Sequence, residues 1–530
     1  VIFLCSKGPD MKPYAAPVDD ILFTLEQVGG VAALPDWDGA LMREITQAFA
    51  AFAEGEIAPL DEPGDRQGCR LKDSRVIMPD GFKRVYAAYA EQGWPALTVP
   101  EIYGGQGLGG VALACVSEIF TGANHSLQMV TGLVPGAVRT LLDYGTEAQK
   151  TAYIPRLASG EWLSTMCLTE PGAGSDLGRI RTRAEQDGDG WKLNGEKIFI
   201  SGGDQDMTDG IFHLVLARTG SADSGVKGLS LFICLSHLPD GSRNPITVTR
   251  IEEKMGLHAS PTCQMAFDGA RAELIGAEGE GLKAMFTMMN HARVDVSLQG
   301  VAHATRAYDI AAAYCADRVQ GRGADGQPVT LDQHHDVHAM LAEMRALSLL
   351  GRAISHLAIV QLEKGDDPML VEFLTPIAKH FCTEAGTRAA DLGIQCLGGY
   401  GYLQEYRLDQ VWRDARICRI YEGANGIHAL TLATRLVQGR AAVAADRFAA
   451  FIADNATPEA VAHWTRARAA LGDAAEPASK AADFMALSEW VLLRSLAPRF
   501  ASHAAVGQIG AYLARSDYLG AVLSDRICAD

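Results

Sequence analysis

A carboxylate held between apolar residues and a glycine is a candidate base, and the segment RICRIYEGANGIHAL (416–430) places one at Glu422. Gly423 beside it lets the backbone come close to a ligand, because glycine has no side chain and tolerates dihedrals other residues avoid. The flanking Ile417, Ile420, Tyr421 and Ile427 would desolvate the carboxylate and raise its pKa, as a base acting on a weak carbon acid requires. An isolated Tyr-Glu-Gly is more often a plain helix end. Two upstream segments weigh against that reading. In MCLTEPGAGSDLGRIRT (166–182), Thr169, Glu170 and Pro171 end a strand and turn into a run where Gly172, Gly174 and Ser175 offer backbone N–H groups and a hydroxyl to a phosphate or a polar ring edge. In KIFISGG (197–203), Phe199 and Ser201 stand two apart on a strand and therefore on one face. An aromatic face accompanied by hydroxyls suits a flat heteroaromatic cofactor.

The elements that must position these residues change character along the chain. Up to about Leu163 apolar residues recur three and four apart, as in WDGALMREITQAFAAFAEGEIAPL and GFKRVYAAYAEQGW, which predicts helices; Pro59 and the polar run DEPGDRQGCR (61–70) are expected to break them. No strand precedes the glycine-rich WPALTVPEIYGGQGLGG (94–110), so it reads as a surface turn packed beside a ligand site rather than as a phosphate loop. From about Met166 to Leu274 strand patterns take over in WKLNGEKIFIS, IFHLVLART, GLSLFICL and ITVTRIEEKMGLH. From Gly281 helical periodicity returns in four stretches, the last being GIHALTLATRLV, and predicts a four-helix bundle. An Ala-rich helical tail, broken by GDAAEPASK (472–480), follows about Gly439. The expected organisation is an N-terminal extension (1–35), a helical domain (36–165), a central β-barrel domain (166–275), a four-helix bundle (276–440) and an additional C-terminal helical domain (441–530), mostly α overall. Residues 1–10 are expected to be an upstream extension, with Met11 the natural start and no secretory signal.

Composition narrows the partners. A chain of 530 residues with 48% hydrophobic and 21% charged residues has the make-up of an ordinary soluble protein with large cores. Its net charge of −17 repels nucleic acid and anionic membranes, so a polyanionic ligand needs a local basic site. The eleven cysteines are scattered without a C-x-x-C pair or a metal-like Cys/His cluster and read as reduced, buried thiols. No apolar run reaches the roughly 20 residues of a spanning helix, so no membrane insertion is expected.

CLTEPGAGSD (167–176), KIFISGG (197–203), CADRVQGR (315–322) and IQCLGGYGYLQEYRLDQVWRDARICRIYEGANGI (394–427) together resemble the signatures of the acyl-CoA dehydrogenase family of flavoproteins over roughly residues 40–440. YAAPVDDILF near the N-terminus, the 94–110 loop and the extra tail are similar to the 3-methylmercaptopropionyl-CoA dehydrogenase branch. The resemblance implies an N-terminal helical domain, a β-barrel and a four-helix bundle, FAD as cofactor, and a cytoplasmic enzyme of fatty-acid metabolism. It implies that Glu422 removes the α-proton of an acyl-CoA while FAD accepts hydride from the β-carbon. The enolate oxygen would be held by the backbone N–H of that Glu and a ribityl hydroxyl.

By the same resemblance Met166, Leu168 and Thr169 line the isoalloxazine, joined by Phe199 where many members have Trp and Ser201 where they have Thr. Gly174 and Ser175 fall at the diphosphate, Ser175 also at the acyl-CoA phosphate. Arg318 matches an arginine that reaches the FAD diphosphate of a neighbouring subunit, and Gln395 to Gly399, including Gly398, match the turn for the adenosine end. Shared cofactors imply a homodimer or homotetramer. Arg293 and Asn290 match positions along the CoA channel, while Tyr421 and Gly423 flank the base on the substrate side. Ala424, Asn425 and Gly426 replace the Thr-Ser-Gln of many relatives. The position that carries the base in some relatives is Ala292, and nearby Asp295 reads as structural. The expected electron acceptor is electron-transfer flavoprotein. An acyl-CoA oxidase shares the same base. A DNA-associated, alkylation-protecting relative would need a basic tail, whereas residues 441–530 carry eight basic and ten acidic residues. A flavin-free scaffold would not need competent residues at every flavin-edge position.

Overall fold

The computed structural model describes residues 12–529. The expectations about residues 1–10, Met11 and Cys5 therefore lie outside the described residues. Two compact units emerge, one of residues 55–113 and 123–292, the other of residues 12–54, 114–122 and 293–529.

The first unit contains a seven-stranded sheet built from Trp162–Cys167, Arg183–Asp187, Gly190–Ser201, Gly210–Arg218, Leu229–Leu235, Ile246–Ile251 and Thr262–Ile275. Counted in chain order, the strands lie first, fourth, second, third, seventh, fifth, with the sixth against the seventh and a further pairing of fourth with fifth. The expected barrel is thus a single sheet whose pairings return on themselves through the fourth and fifth strands. Gly210–Arg218 is buried at every position, which explains why IFHLVLAR reads as an unbroken apolar run instead of an alternating one. Thr262–Ile275 is not among the strands expected from the sequence, although it pairs with three others. Its Asp268-Gly269 reads as a turn. In the structure Gly269, at φ 69°, is the extra residue of a bulge, and its N–H donates to Asn194 Oδ1 at 2.7 Å, so the strand continues.

A second difference lies at 61–70, expected as a break. Asp61–Gln67 is helical. Pro63 falls within the first turn, where its missing N–H costs nothing, Asp61 and Glu62 complement the positive helix end, and Gly68 at φ 63° stops the helix.

In the second unit the part of Gly281–Asp317 from Arg293 onward packs with His335–Lys364 and Pro368–Leu397. The fourth expected stretch, GIHALTLATRLV, is helical over Asn425–Ala433 and is preceded by a further short helix, Leu408–Cys418. Glu422 at φ 52° and Gly423 at φ 92° cannot lie within a right-handed helix, and they separate the two. Helices 281–317 and 368–397 touch backbone to backbone: a Cβ on Gly300 would sit 2.3 Å from the Cys382 carbonyl oxygen. The tail shares one core with the long helices. Phe373 stacks on Phe448 with ring centroids 4.6 Å apart, and the buried Trp464 donates from Nε1 to Ser488 Oγ at 3.0 Å. Among the described residues no helix is long and apolar enough to cross a membrane, and every cysteine is a free thiol.

Candidate active site

Two of the six non-glycine residues with positive φ among the described residues are candidate site residues, Glu422 (52°) and Phe199 (60°). Such backbone is costly for an L-residue and persists where the surroundings over-determine it. In the helical unit, Glu422 is half-buried, and the protein packed around it pushes its carboxyl up to about 7. Burial is the largest cause; Arg293 and Lys379 pull the other way, and Asp295 adds to the rise. A base near neutrality combines an available carboxylate with useful proton affinity.

The turn carrying Glu422 is tied from three sides. His428, kept neutral by burial, donates from Nε2 to the Glu422 carbonyl at 3.1 Å. Lys379, fully buried on helix Pro368–Leu397, donates to the Gly423 carbonyl at 2.8 Å and to Asn425 Oδ1 at 2.9 Å. Asn425 Nδ2 in turn donates to Thr383 Oγ1 (3.1 Å) and Glu384 Oε1 (2.9 Å), and Glu384 also receives Arg419 Nε at 2.7 Å. A side chain at 423 would meet His428 Nε2 at 2.9 Å, so glycine is required there on two grounds.

The other expected residues of this unit divide by their contacts. Tyr421 directs its hydroxyl to Gln299 Oε1, with Cys418 Sγ at 3.4 Å, so its polar end is engaged within the helices. Asp295 accepts from Ser117 on one oxygen and from Gln299 Nε2 (3.1 Å) on the other. Arg293 is half-buried, its pKa lowered by burial and raised by Glu422. Arg318 is exposed just past the end of Gly281–Asp317, its guanidinium 5.5 Å from the Tyr400 ring centre. Gln395 is exposed in the last turn of helix Pro368–Leu397 and Gly398 and Gly399 just after it, and a Cβ on either glycine would meet nothing within 4 Å. A cavity of about 480 Å³ near Lys12, Arg306 and Asp309 includes none of the expected site residues.

In the sheet unit Thr169 is tied to the strand bearing Phe199, because Ile198 N donates to Thr169 O at 2.9 Å. A bulge between Lys197 and Ile200 turns Phe199 outward with 60% of its surface exposed, while Ile200 is buried. The strict alternation expected for Phe199 and Ser201 is thus interrupted at Phe199 itself. Met166, Thr169 and Ser201 are half-buried, Leu168 is buried, and Gly174, Ser175 and Asn290 are exposed. Glu170 is a clamp. Its carboxylate accepts from Lys197 Nζ (2.9 Å), Arg181 N (2.6 Å) and Thr182 N (3.0 Å), while Lys197 also donates to Leu168 O at 2.8 Å. Burial opposes the Glu170 charge, but Lys197 and these donors hold its carboxyl below the usual range; burial also lowers the Lys197 amine. A projecting ring beside a rigidly held Leu168-Thr169 turn, and a run where a Cβ on Gly172 or Gly174 would meet nothing within 4 Å, fit a flavin nucleotide.

Family models of the acyl-CoA dehydrogenase N-terminal, middle and C-terminal domains match residues 41–161, 165–270 and 279–437. The chain is 40% identical over 464 residues to 3-methylmercaptopropionyl-CoA dehydrogenase of Ruegeria pomeroyi, covering 83% of this chain and 79% of that protein. The chain belongs to the acyl-CoA dehydrogenase family. Members are FAD flavoproteins, and this acyl-CoA dehydrogenase is an FAD-dependent oxidoreductase. Butyryl-CoA dehydrogenase of Megasphaera elsdenii superposes with a TM-score of 0.66 at 26% identity, covering 75% of this chain and 98% of that one. Caenorhabditis elegans ACDH-11, solved in complex with C11-CoA, is 22% identical with a TM-score of 0.75 over 99% of this chain and 93% of its own, so the shared fold includes the tail helices.

Sequence reasoning on this acyl-CoA dehydrogenase missed Lys379, Asn425 as a linker, and the Glu170–Lys197 pair. Lys379 did leave a signal: it is a lysine on a helical stretch flanked by Ile377, Ala378, Phe381 and Cys382. A lysine there needs a buried acceptor.

Proposed function

We propose that Glu422 is the base that removes the α-proton of an acyl-CoA thioester, the first half of an α,β-dehydrogenation to the 2-enoyl-CoA. The observation that carries this is a half-buried carboxyl on a left-handed turn, with its pKa pushed up to about 7. The C–H electron pair becomes an enolate, the proton goes to a Glu422 oxygen, and the Glu422 backbone N–H is one donor to the enolate oxygen. FAD, when bound, accepts the β-hydride. Met166, Leu168, Thr169, Phe199 and Ser201 would hold its ring system, Gly174 and Ser175 its diphosphate, and Arg318 with Gln395, Gly398 and Gly399 the adenosine end belonging to a second copy. Ser175, Asn290, Arg293, Tyr421 and Gly423 would face the substrate, a short or medium acyl-CoA that includes 3-methylmercaptopropionyl-CoA. Electron-transfer flavoprotein is the proposed acceptor, in a cytoplasmic homodimer or homotetramer without a nucleic-acid partner.

The test is anaerobic bleaching of the purified flavin by a panel of acyl-CoAs across pH. Because the carboxylate is the active form, the reduction rate should rise with pH and level off above a limb near 7. A colourless protein that cannot be reconstituted with FAD, or bleaching by no acyl-CoA, would overturn the reading. The shared-cofactor assignment makes a second prediction. Arg318→Ala should lower FAD retention on gel filtration and weaken the oligomer in sedimentation together; full FAD occupancy in a stable monomer would remove it.

A further inference from the structure

Lys379 has no assigned part in the reaction, yet it is the cation bonded to the turn that presents the base. Its ammonium is fully buried and carries two charge-assisted hydrogen bonds, one to the Gly423 carbonyl immediately after the base and one to Asn425 Oδ1 at the start of the next helix. Both acceptors lie on the chain that leaves Glu422, the first on Gly423, which is left-handed like the base, and the second on Asn425 at the head of the following helix. Asn425 is itself fixed to Thr383 and Glu384, four and five residues after Lys379 on the same helix, so one helix face grips the turn at several points. The charged and titratable groups around the ammonium are Glu422, Cys418, Glu384, Arg293, His428 and His380. Around the Glu422 carboxyl they are Arg293, Lys379 and Asp295, of which Asp295 is occupied by Ser117 and Gln299.

Resting on the reading of Glu422 as the base, we propose that Lys379 is its positioning residue: the ammonium locks the left-handed turn through the Gly423 carbonyl and Asn425, and its charge favours the ionised form of Glu422. Two separable consequences follow. The hydrogen bonds set the geometry of proton abstraction and hence the limiting rate. The charge sets the pH at which the carboxylate becomes available. Burial lowers the Lys379 amine to about 8, so this support weakens as pH rises through that value, above the limb it controls.

Lys379→Met removes both the bonds and the charge. Its anaerobic flavin-reduction profile should show a lower plateau and an acid limb moved to higher pH by about one unit, a loss of roughly tenfold below the limb from the shift alone. Asn425→Ala keeps the ammonium, so it should lower the plateau and leave the limb in place. A readout independent of turnover is the carboxylic-acid C=O infrared band present in wild type and missing in Glu422→Gln, which should titrate about one unit higher in Lys379→Met. If Lys379→Met does not fold, Lys379→Gln, which retains a donor for the Gly423 carbonyl, should show the same limb shift, and Asn425→Ala the same lowered plateau. Wild-type limb and plateau in folded, FAD-loaded Lys379→Met, or in Lys379→Gln with Asn425→Ala, would overturn the proposal while Glu422→Gln stays inactive. Activity retained in Glu422→Gln would instead overturn the reading on which it rests.

Discussion

Glu422→Gln is expected to slow flavin reduction by an acyl-CoA by at least about 10²–10⁴-fold, the range for loss of a general base, while acyl-CoA binding survives. Glutamine preserves the size of the side chain and leaves the bonds from His428 to the Glu422 carbonyl and from Lys379 to the Gly423 carbonyl, since both acceptors are backbone. The turn should therefore persist with only the proton acceptor removed. Anaerobic stopped-flow separates the two outcomes: the variant's flavin spectrum should still be perturbed by acyl-CoA without being reduced. Asp295 is the obvious substitute, but its two oxygens already accept from Ser117 and Gln299. Reduction at an unchanged rate would place the base elsewhere and withdraw the central assignment.

The base was legible because its requirements are local: an acid, a neighbouring glycine and apolar flanks all occur within a few residues. The grip on that base was not, because Lys379 is more than forty positions away and its role depends on where a helix places it. Phe199 shows the same boundary from the other side. Its type was readable, but period-two alternation holds only in an unbroken ladder, and the bulge after Lys197 redirects the ring. Glu170 looked like part of a ligand-binding turn, whereas it acts inward, pinning that turn to Lys197. The separation of helices Leu408–Cys418 and Asn425–Ala433 has one cause with the site, since the left-handed residues that present Glu422 also end helical continuity.

The largest stability effect is expected at Arg352 and Glu118, which no sequence pattern joins. Arg352 is fully buried on helix His335–Lys364; its Nε lies 3.0 Å from both Glu118 oxygens and its Nη2 2.6 Å from Oε1, and Nη2 also donates to Thr305 Oγ1. Asp20, anchored by Arg345 and His503, lies 3.7 Å from Nη1. Charges taken this far out of water are tolerable only while paired, so Arg352→Leu or Glu118→Leu should each cost about 3–5 kcal/mol in urea unfolding. The two variants should differ with pH. Arginine cannot lose its charge, so Glu118→Leu leaves a permanent cation with Asp20 as its remaining counter-charge. Burial already raises the Glu118 pKa against the pull of Arg352; in Arg352→Leu that pull is gone, so the folded pKa rises further above the unfolded value and the orphaned carboxylate can take up a proton. The folded state then holds more protons, so the stability of this variant relative to wild type should fall as pH rises from about 4 toward neutrality, and that of Glu118→Leu should not. The double variant should be less impaired than the sum of the singles, because neither charge is left behind. Either single variant unfolding within about 1 kcal/mol of wild type would mean the pair is hydrated and carries no such weight.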